Sequence, residues 1–206
     1  MPKQTFFNLV EEKRRVIEQA ALDEFAEYGF DNSNMNRIVA ASKIAKGSFY
    51  QYFTDKKDLY YHLIDSLIQR KMIAMAPVLE RCQDHGFTHN LEELFRLGLE
   101  FADTDAKFYS LGNDFATMKP SFIQEYMEKY SPMAQDIYGH LLEAASAKGE
   151  LCDDLDLSLA KVFIDAIINR TTISLINQPK ARRNYVIRSL LVFIERAVLK
   201  DRSDNI

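Results

Sequence analysis

Along most of this chain, apolar residues recur at intervals of three and four, the spacing that gathers them on one face of an α-helix. The first such stretch runs from about Leu9 to Tyr28, with Val16 or Ile17, Ala20 or Ala21, Phe25 and Tyr28 as its stripe. Asn8 stands three residues before Glu11, a pairing that can cap a helix start from both sides. Gly29 stands at the other end, where a left-handed residue costs least without a Cβ. Phe6, Phe7 and Phe30 are expected to fold over the ends of this helix. Ser33 and Asn34 are both good caps for a short second helix, with Met35, Ile38, Val39 and Ala41 or Ser42 inward. A third helix is expected from near Ala45, with Ile44 and Phe49 inward and Lys46, Ser48, Tyr50 and Gln51 outward or sideways. A turn of about three residues between the last two describes a helix-turn-helix unit, although the spacing alone fits any small helical bundle.

The pattern then lengthens. Leu59, Leu63, Leu67, Met72, Met75 and Leu79 continue one stripe, which predicts a long helix without a flexible linker, kinked or interrupted by Pro77. Asp84-His85-Gly86 reads as a turn, Asn90 with Glu93 as another cap pair, and Lys119-Pro120 and Ser131-Pro132 as helix boundaries. The acidic link Asp153-Asp154-Leu155-Asp156 suits the positive start of a helix over about 158–177, apolar nearly all the way round. A last helix is expected over about 181–199. The reading is an all-α chain of about nine helices: a head over residues 1–58 and a helical body over 59–206.

Composition supports this reading. The chain has 206 residues, 47% of them hydrophobic, enough for a real core, and only 7 Gly and 5 Pro, which favours long helices. The net charge is −4, so the whole molecule does not advertise a polyanion partner. Locally the sign reverses: between Asn34 and Lys57 stand Arg37, Lys43, Lys46, Lys56 and Lys57 against Asp55 alone. Cys82 and Cys152 have no disulfide or zinc spacing, and read as ordinary thiols of a reducing compartment. The start lacks the apolar core of a signal peptide, and no run approaches the ~18 apolar residues of a membrane span, so a soluble, cytoplasmic protein is expected. His62, His85, His89 and His140 have no metal-ligand spacing, and no nucleophile elbow or phosphate-binding glycine loop occurs. Neither catalysis nor a metal or cofactor is expected.

Phe25-x-x-Tyr28-Gly29-Phe30, then Ile38-Val39, then Ile44-Ala45-Lys46-Gly47-Ser48-Phe49-Tyr50-Gln51-Tyr52-Phe53-x-x-Lys56-Lys57-Asp58-Leu59, resembles the DNA-binding signature of the tetracycline-repressor (TetR) family of bacterial transcription regulators. The resemblance covers roughly residues 9–62. It implies that the third helix is a recognition helix, opened by Lys46 and Gly47, where bare backbone can approach DNA. Ser48, Tyr50, Tyr52 and Lys56 would hold phosphates, contacts that fix register without reading sequence. Gln51 is the best candidate base reader, since its amide can pair bidentately with adenine; Asn36 is second, and Lys46 could reach a guanine. Ser33, Asn34, Arg37 and Lys43 complete the candidate DNA-binding set. Phe49 and Phe53 read as core. Two departures stand out: Lys43 replaces the family's usual turn glycine, and Ala45 its usual capping serine or threonine.

The body carries no comparably specific signature. Nine aromatics fall between Phe95 and Tyr138. They are either ordinary packing or the lining of a pocket for an apolar or aromatic ligand, which Met118, Met127 and Met133 would make adaptable. Phe101, Phe108, Tyr109, Asn113, Phe115, Phe122, Tyr126 and Tyr130 are the candidate ligand residues. The economical account of helices 158–177 and 181–199 is packing against a second copy, a two-fold four-helix interface. The resemblance thus implies a homodimeric regulator, a repressor on palindromic operator DNA released by a small-molecule effector. The alternative is a DNA-bound adaptor whose body binds another protein.

Overall fold

A computed structural model describes residues 2–104, 106–130, 137–175 and 178–200, the side chains of 129, 130, 169 and 173 excepted. Among the described residues there are eleven helices and no strand, with a lone antiparallel bridge between Leu151 and Leu199. The helices are α1 (Gln4–Phe7), α2 (Glu11–Asn32), α3 (Met35–Ala41), α4 (Lys46–Tyr52), α5 (Lys56–Glu80), α6 (Phe87–Thr104), α7 (Ala106–Ala116), α8 (Pro120–Tyr130), α9 (Ile137–Ala147), α10 (Leu157–Leu175) and α11 (Lys180–Val198).

Several ends form as their residues dictate. The helical path of α2 breaks at Gly29, which takes φ 68° and ψ 172°. Asn34 caps α3 by accepting from the Asn36 N–H at 2.8 Å. Pro120 opens α8, and Pro179 stands at the N-cap of α11. Asp156 caps α10 by accepting from the Leu159 N–H at 3.0 Å.

Others differ from expectation. The Asn8–Glu11 cap does not form: Val10 occupies the N-cap of α2, and Asn8 closes α1, accepting from the Gln4 amide at 3.2 Å. Asn90 is buried and donates to the Cys82 and His85 carbonyls at 2.9 and 3.1 Å. It therefore closes the turn before α6, while Glu93, its expected cap partner, binds Arg96. Pro77 lies in the last turn of α5 without ending the helix there. The Ser131-Pro132 boundary lies outside the described residues.

The chain divides into two compact units, one from Met1–Arg70 with Asp105–Ala134 and one from Lys71–Thr104 with Gln135–Ile206. The expected head ended at residue 58; the unit that contains it continues into α5 and takes in α7 and α8. In the first unit, Ile17, Phe25, Ile38, Phe49, Phe53, Tyr60 and Tyr61 are buried together with Phe108, Leu111 and Tyr126. The core of the second is built from α6, α9, α10 and α11, among them Leu94, Phe95, Leu141, Ile164, Ile168, Leu191 and Ile194. On α10 and α11, large apolar side chains also face outward: Leu159, Val162, Phe163, Tyr185, Val192 and Phe193. Phe163 is 61% exposed and Phe193 69%, well beyond a stray surface residue, because they recur along both helices.

Candidate nucleic-acid interface

Two buried aromatics hold α4 in the first unit. Phe49 and Phe53 stack with ring centroids 5.3 Å apart, both essentially inaccessible, and Phe53 lies 4.8 Å from Phe6. With these two turned inward, the helical period leaves Lys46, Gly47, Tyr50 and Gln51 outward, and all four are exposed. Ser48 and Tyr52 are half-buried at the margins. A Cβ added to Gly47 would meet nothing within 4 Å, so no neighbour within the chain demands a glycine there.

The turn between α3 and α4 is built under strain. Lys43 takes φ 56°, the left-handed region that costs a side-chain-bearing residue roughly 1 to 2 kcal/mol. Ser42 is buried, and its hydroxyl returns to the Ile38 carbonyl at 2.8 Å. Ala45 is the N-cap of α4 and offers no side-chain acceptor. Both departures from the family pattern therefore act at this corner.

The frame beneath α3 is a single carboxylate. Glu24 of α2, 7% exposed, accepts from the Asn34 N–H at 2.7 Å and from Arg37 Nε at 2.8 Å, with a second guanidinium nitrogen also bonded. Burial alone would raise its pKa, but the bonds from Arg37 and Asn34 and the charges of Arg37 and Lys56 outweigh burial and hold it low. Arg37 also donates to the Asn32 carbonyl at 3.2 Å and lies over the Tyr28 ring at 4.3 Å. Ser33 is buried, its hydroxyl on the Phe30 carbonyl at 2.7 Å. Lys56 donates to the carbonyls of Phe30 and Ser33 at 2.6 and 3.1 Å, and burial lowers its pKa. Among the sequence candidates, then, Asn34, Asn36, Arg37, Lys43, Lys46, Gly47, Tyr50 and Gln51 are exposed, Ser33 is buried and Lys56 half-buried; the side chains of Ser33, Arg37 and Lys56 have partners within the chain.

The C-terminal end of α4 has partners that periodicity did not suggest. The Lys3 N–H donates to the Tyr52 carbonyl at 2.7 Å, Lys3 Nζ to the Tyr50 carbonyl at 2.7 Å, and the Thr5 hydroxyl to the Gln51 carbonyl. These contacts span 46 and more positions and depend on backbone acceptors, so no side-chain pattern announces them.

The candidate ligand residues divide. Phe108 and Tyr126 are buried in the first unit, and Phe115 and Phe122 pack against that core. Phe122 lies 5.0 Å from Tyr61 and 4.9 Å from Phe30, and Phe115 5.1 Å from Tyr126. Tyr109 and Asn113 are half-buried on α7, while Phe101 belongs to α6 in the second unit. The Tyr130 side chain lies outside the described residues. Among the described residues no helix is long and apolar enough to cross a membrane, and no group of three or more His, Cys, Asp and Glu side chains gathers as a metal site.

The chain is similar to known proteins in sequence and in fold. The sequence profile described as "Bacterial regulatory proteins, tetR family" matches residues 17–63, from α2 into α5. The uncharacterised HTH-type transcriptional regulator YezE of Bacillus subtilis (strain 168) is 26% identical over 151 residues, 70% of this chain and 76% of its own length. A crystal structure of a TetR family transcriptional regulator from Chloroflexus aurantiacus J-10-FL is similar over 98% of this chain and 100% of that one, with TM-score 0.67 and 26% identity. The transcriptional regulator FadR from Bacillus subtilis, solved in complex with stearoyl-CoA, shares the fold at TM-score 0.65 and 21% identity, over 87% of this chain and 96% of its own.

Proposed function

We propose that this chain, which belongs to the TetR family of bacterial DNA-binding transcription regulators, is a cytoplasmic repressor that binds a palindromic operator as a homodimer and leaves it when an apolar or aromatic small molecule binds. The observation that carries the DNA-binding part is the outward row of Lys46, Gly47, Tyr50 and Gln51 on a helix seated by Phe49 and Phe53. Gln51 would read a base edge, with Asn36 and Lys46 beside it, while Tyr50, Ser48 and Tyr52 hold phosphates. Lys43, strained and exposed, would add positive charge. Arg37 and Lys56 also hold α3 and the end of α2, through Glu24 and through the Phe30 and Ser33 carbonyls.

A palindrome requires two-fold symmetry in the protein. The exposed apolar faces of α10 and α11 supply a surface for a second copy, which supports a four-helix seam. The effector reading rests on the aromatic residues of α7 and α8 and on a fold that has accommodated an acyl-CoA in FadR. An effector releases DNA only through its differential affinity for the two states. One observation favours the adaptor alternative: Phe122 and Tyr126 pack onto Tyr61 and therefore act as core.

The test is a salt titration of binding to a duplex selected from a random library. With about four to six phosphates neutralised per dimer, log affinity should fall with log salt at a slope of about −4 to −5. A slope near zero would overturn the reading. Stearoyl-CoA and simpler apolar ligands that raise Tm and weaken this complex would support the effector; failure of a broad metabolite screen on both readouts would favour the adaptor.

A further inference from the structure

The recognition helix α4 is only two turns long, and a helix that short leaves its last carbonyls without partners of its own. The Phe49 carbonyl is taken by the Phe53 N–H at 2.9 Å. The next three, those of Tyr50, Gln51 and Tyr52, accept from Lys3 Nζ, the Thr5 hydroxyl and the Lys3 N–H. One three-residue segment thus covers three consecutive carbonyls, and its ammonium lies where the helix dipole is negative.

That segment is itself anchored. Phe6, at 0% exposure, follows Thr5 directly and fixes α1 against Phe53 at 4.8 Å and the His62 ring at 5.3 Å. At the other end of α4, Ala45 provides no side-chain cap and the preceding turn holds a strained Lys43. The polar fixing of α4 is therefore concentrated at its C-terminal end. The three braced carbonyls belong to the same residues whose side chains are the candidate base and phosphate contacts. Phe49 and Phe53 fix which face of α4 turns inward, and holding those carbonyls narrows the remaining freedom of the helix end, and so the direction in which Gln51 and Tyr50 project. A bidentate amide contact tolerates only about 10–20° of misorientation.

We infer that Lys3 and Thr5 are positioning residues for sequence-specific DNA recognition, acting through the backbone of α4 and without touching DNA. The inference rests on α4 being the recognition helix. It separates two roles of one exposed lysine, since a Lys3 that bound phosphate would add affinity on every sequence equally, whereas a brace adds affinity only where side-chain direction is read.

The experiment uses the full chain, a duplex selected from a random library by the unmodified protein, and a scrambled duplex of equal length. Anisotropy is measured for Lys3→Ala, Thr5→Val, their combination and Lys3→Arg across a salt series, with circular dichroism to verify folding. The double variant should lose about tenfold on the selected duplex, equivalent to about 1.4 kcal/mol, with scrambled-duplex affinity and salt slope unchanged. Lys3→Arg, which keeps a donor for the Tyr50 carbonyl, should recover most of the loss. Equal losses on both duplexes, with a slope shallower by about 0.9, would overturn the inference in favour of a phosphate contact. So would unchanged binding to both. If the double variant unfolds, Thr5→Val alone decides, because it leaves every charge in place. If the unmodified protein selects no duplex, the recognition-helix reading fails, and the inference with it.

Discussion

The Asp114 carboxylate of α7 accepts a hydrogen bond from the backbone N–H of Phe30 at 3.0 Å, directly beyond the break in α2. Its Oδ2 also accepts from the Tyr60 hydroxyl at 2.8 Å, a group buried to 0% exposure whose ionisation burial and the nearby carboxylate push far up. Gly29 makes the approach possible, since a Cβ there would lie 2.8 Å from Asp114 Oδ1. Gly29→Ala should therefore cost about 1 to 2 kcal/mol for its left-handed backbone alone, and more for the displaced carboxylate. Asp114→Ala should cost about 1 to 3 kcal/mol by leaving two donors unmatched. Calorimetry of Asp114→Ala, Tyr60→Phe and the double variant checks the mechanism: the two costs should add to more than that of the pair together.

At the corner between α3 and α4, restoring the family's residues should help. Lys43→Gly with Ala45→Ser is expected to stabilise the chain by about 1 to 3 kcal/mol, by relieving the left-handed residue and supplying a cap. A denaturant midpoint that is unchanged or lower would show that the turn is not strained as its φ of 56° implies.

Glu24 gives the fold an acid limit. Its pKa is lowered in the folded state, so its contribution is fully present above the ordinary glutamate value of about 4.5 and disappears as pH falls through the lower folded value. Glu24→Gln should lower stability at neutral pH by about 1 to 3 kcal/mol and flatten this acid dependence. Thermal melts from pH 7 to pH 3 would reveal an undiminished acid dependence if other carboxylates dominate.

A substitution at Gly47 can separate folding from the proposed DNA contact. Because the space beside it is open, Gly47→Ala should raise helix stability by about 0.5 to 1 kcal/mol. The same methyl should weaken binding to the selected duplex if backbone there approaches DNA closely. Tm and anisotropy are expected to move in opposite senses.

The seam proposed on α10 and α11 can be tested by charge. Val162→Glu with Phe193→Glu places carboxylates on an exposed apolar face, where neither side chain contributes to the core of its own unit. Sedimentation should report a monomer with little loss of helicity, and affinity for the selected duplex should collapse. A dimer that persists would place the interface elsewhere.

The helices were legible where side chains carry the signal. Ile17, Phe25, Ile38 and Phe49 face inward, Gly29 is left-handed and Asn34 caps α3, all through local, periodic chemistry and as expected, whereas Tyr28, expected on the inward stripe, is 40% exposed. What escaped the sequence was carried by backbone groups or by distant partners. Asn8 and Asn90 have capping chemistry, but Asn8 bonds Gln4 and Asn90 bonds two loop carbonyls. The acceptors that Lys56 and Arg37 engage within the chain, the Phe30 and Ser33 carbonyls and Glu24, were likewise not legible, because composition shows charge and not its partners. The grouping of α7 and α8 with α2–α4 depends on Asp114, Phe122 and Tyr126, none of which has a periodic signature pointing to α2 or α5.

That grouping has a consequence for how the protein is made. Phe30 and Asp114 are 84 positions apart, Tyr60 and Asp114 54, and Lys57 and Glu125 68. Contacts of such separation are late to close, since the entropy of the intervening chain must be given up before any of them forms. On a translating ribosome, Asp114 follows Tyr60 by roughly 3 to 11 s at ordinary elongation rates. During that interval Tyr60 and Tyr61 lack the α7 and α8 groups that bury them, and the nascent α2–α5 segment presents an aromatic face to its surroundings. The core around α2 to α4 is thus completed only after α7 and α8, which lie later in the chain, have been made.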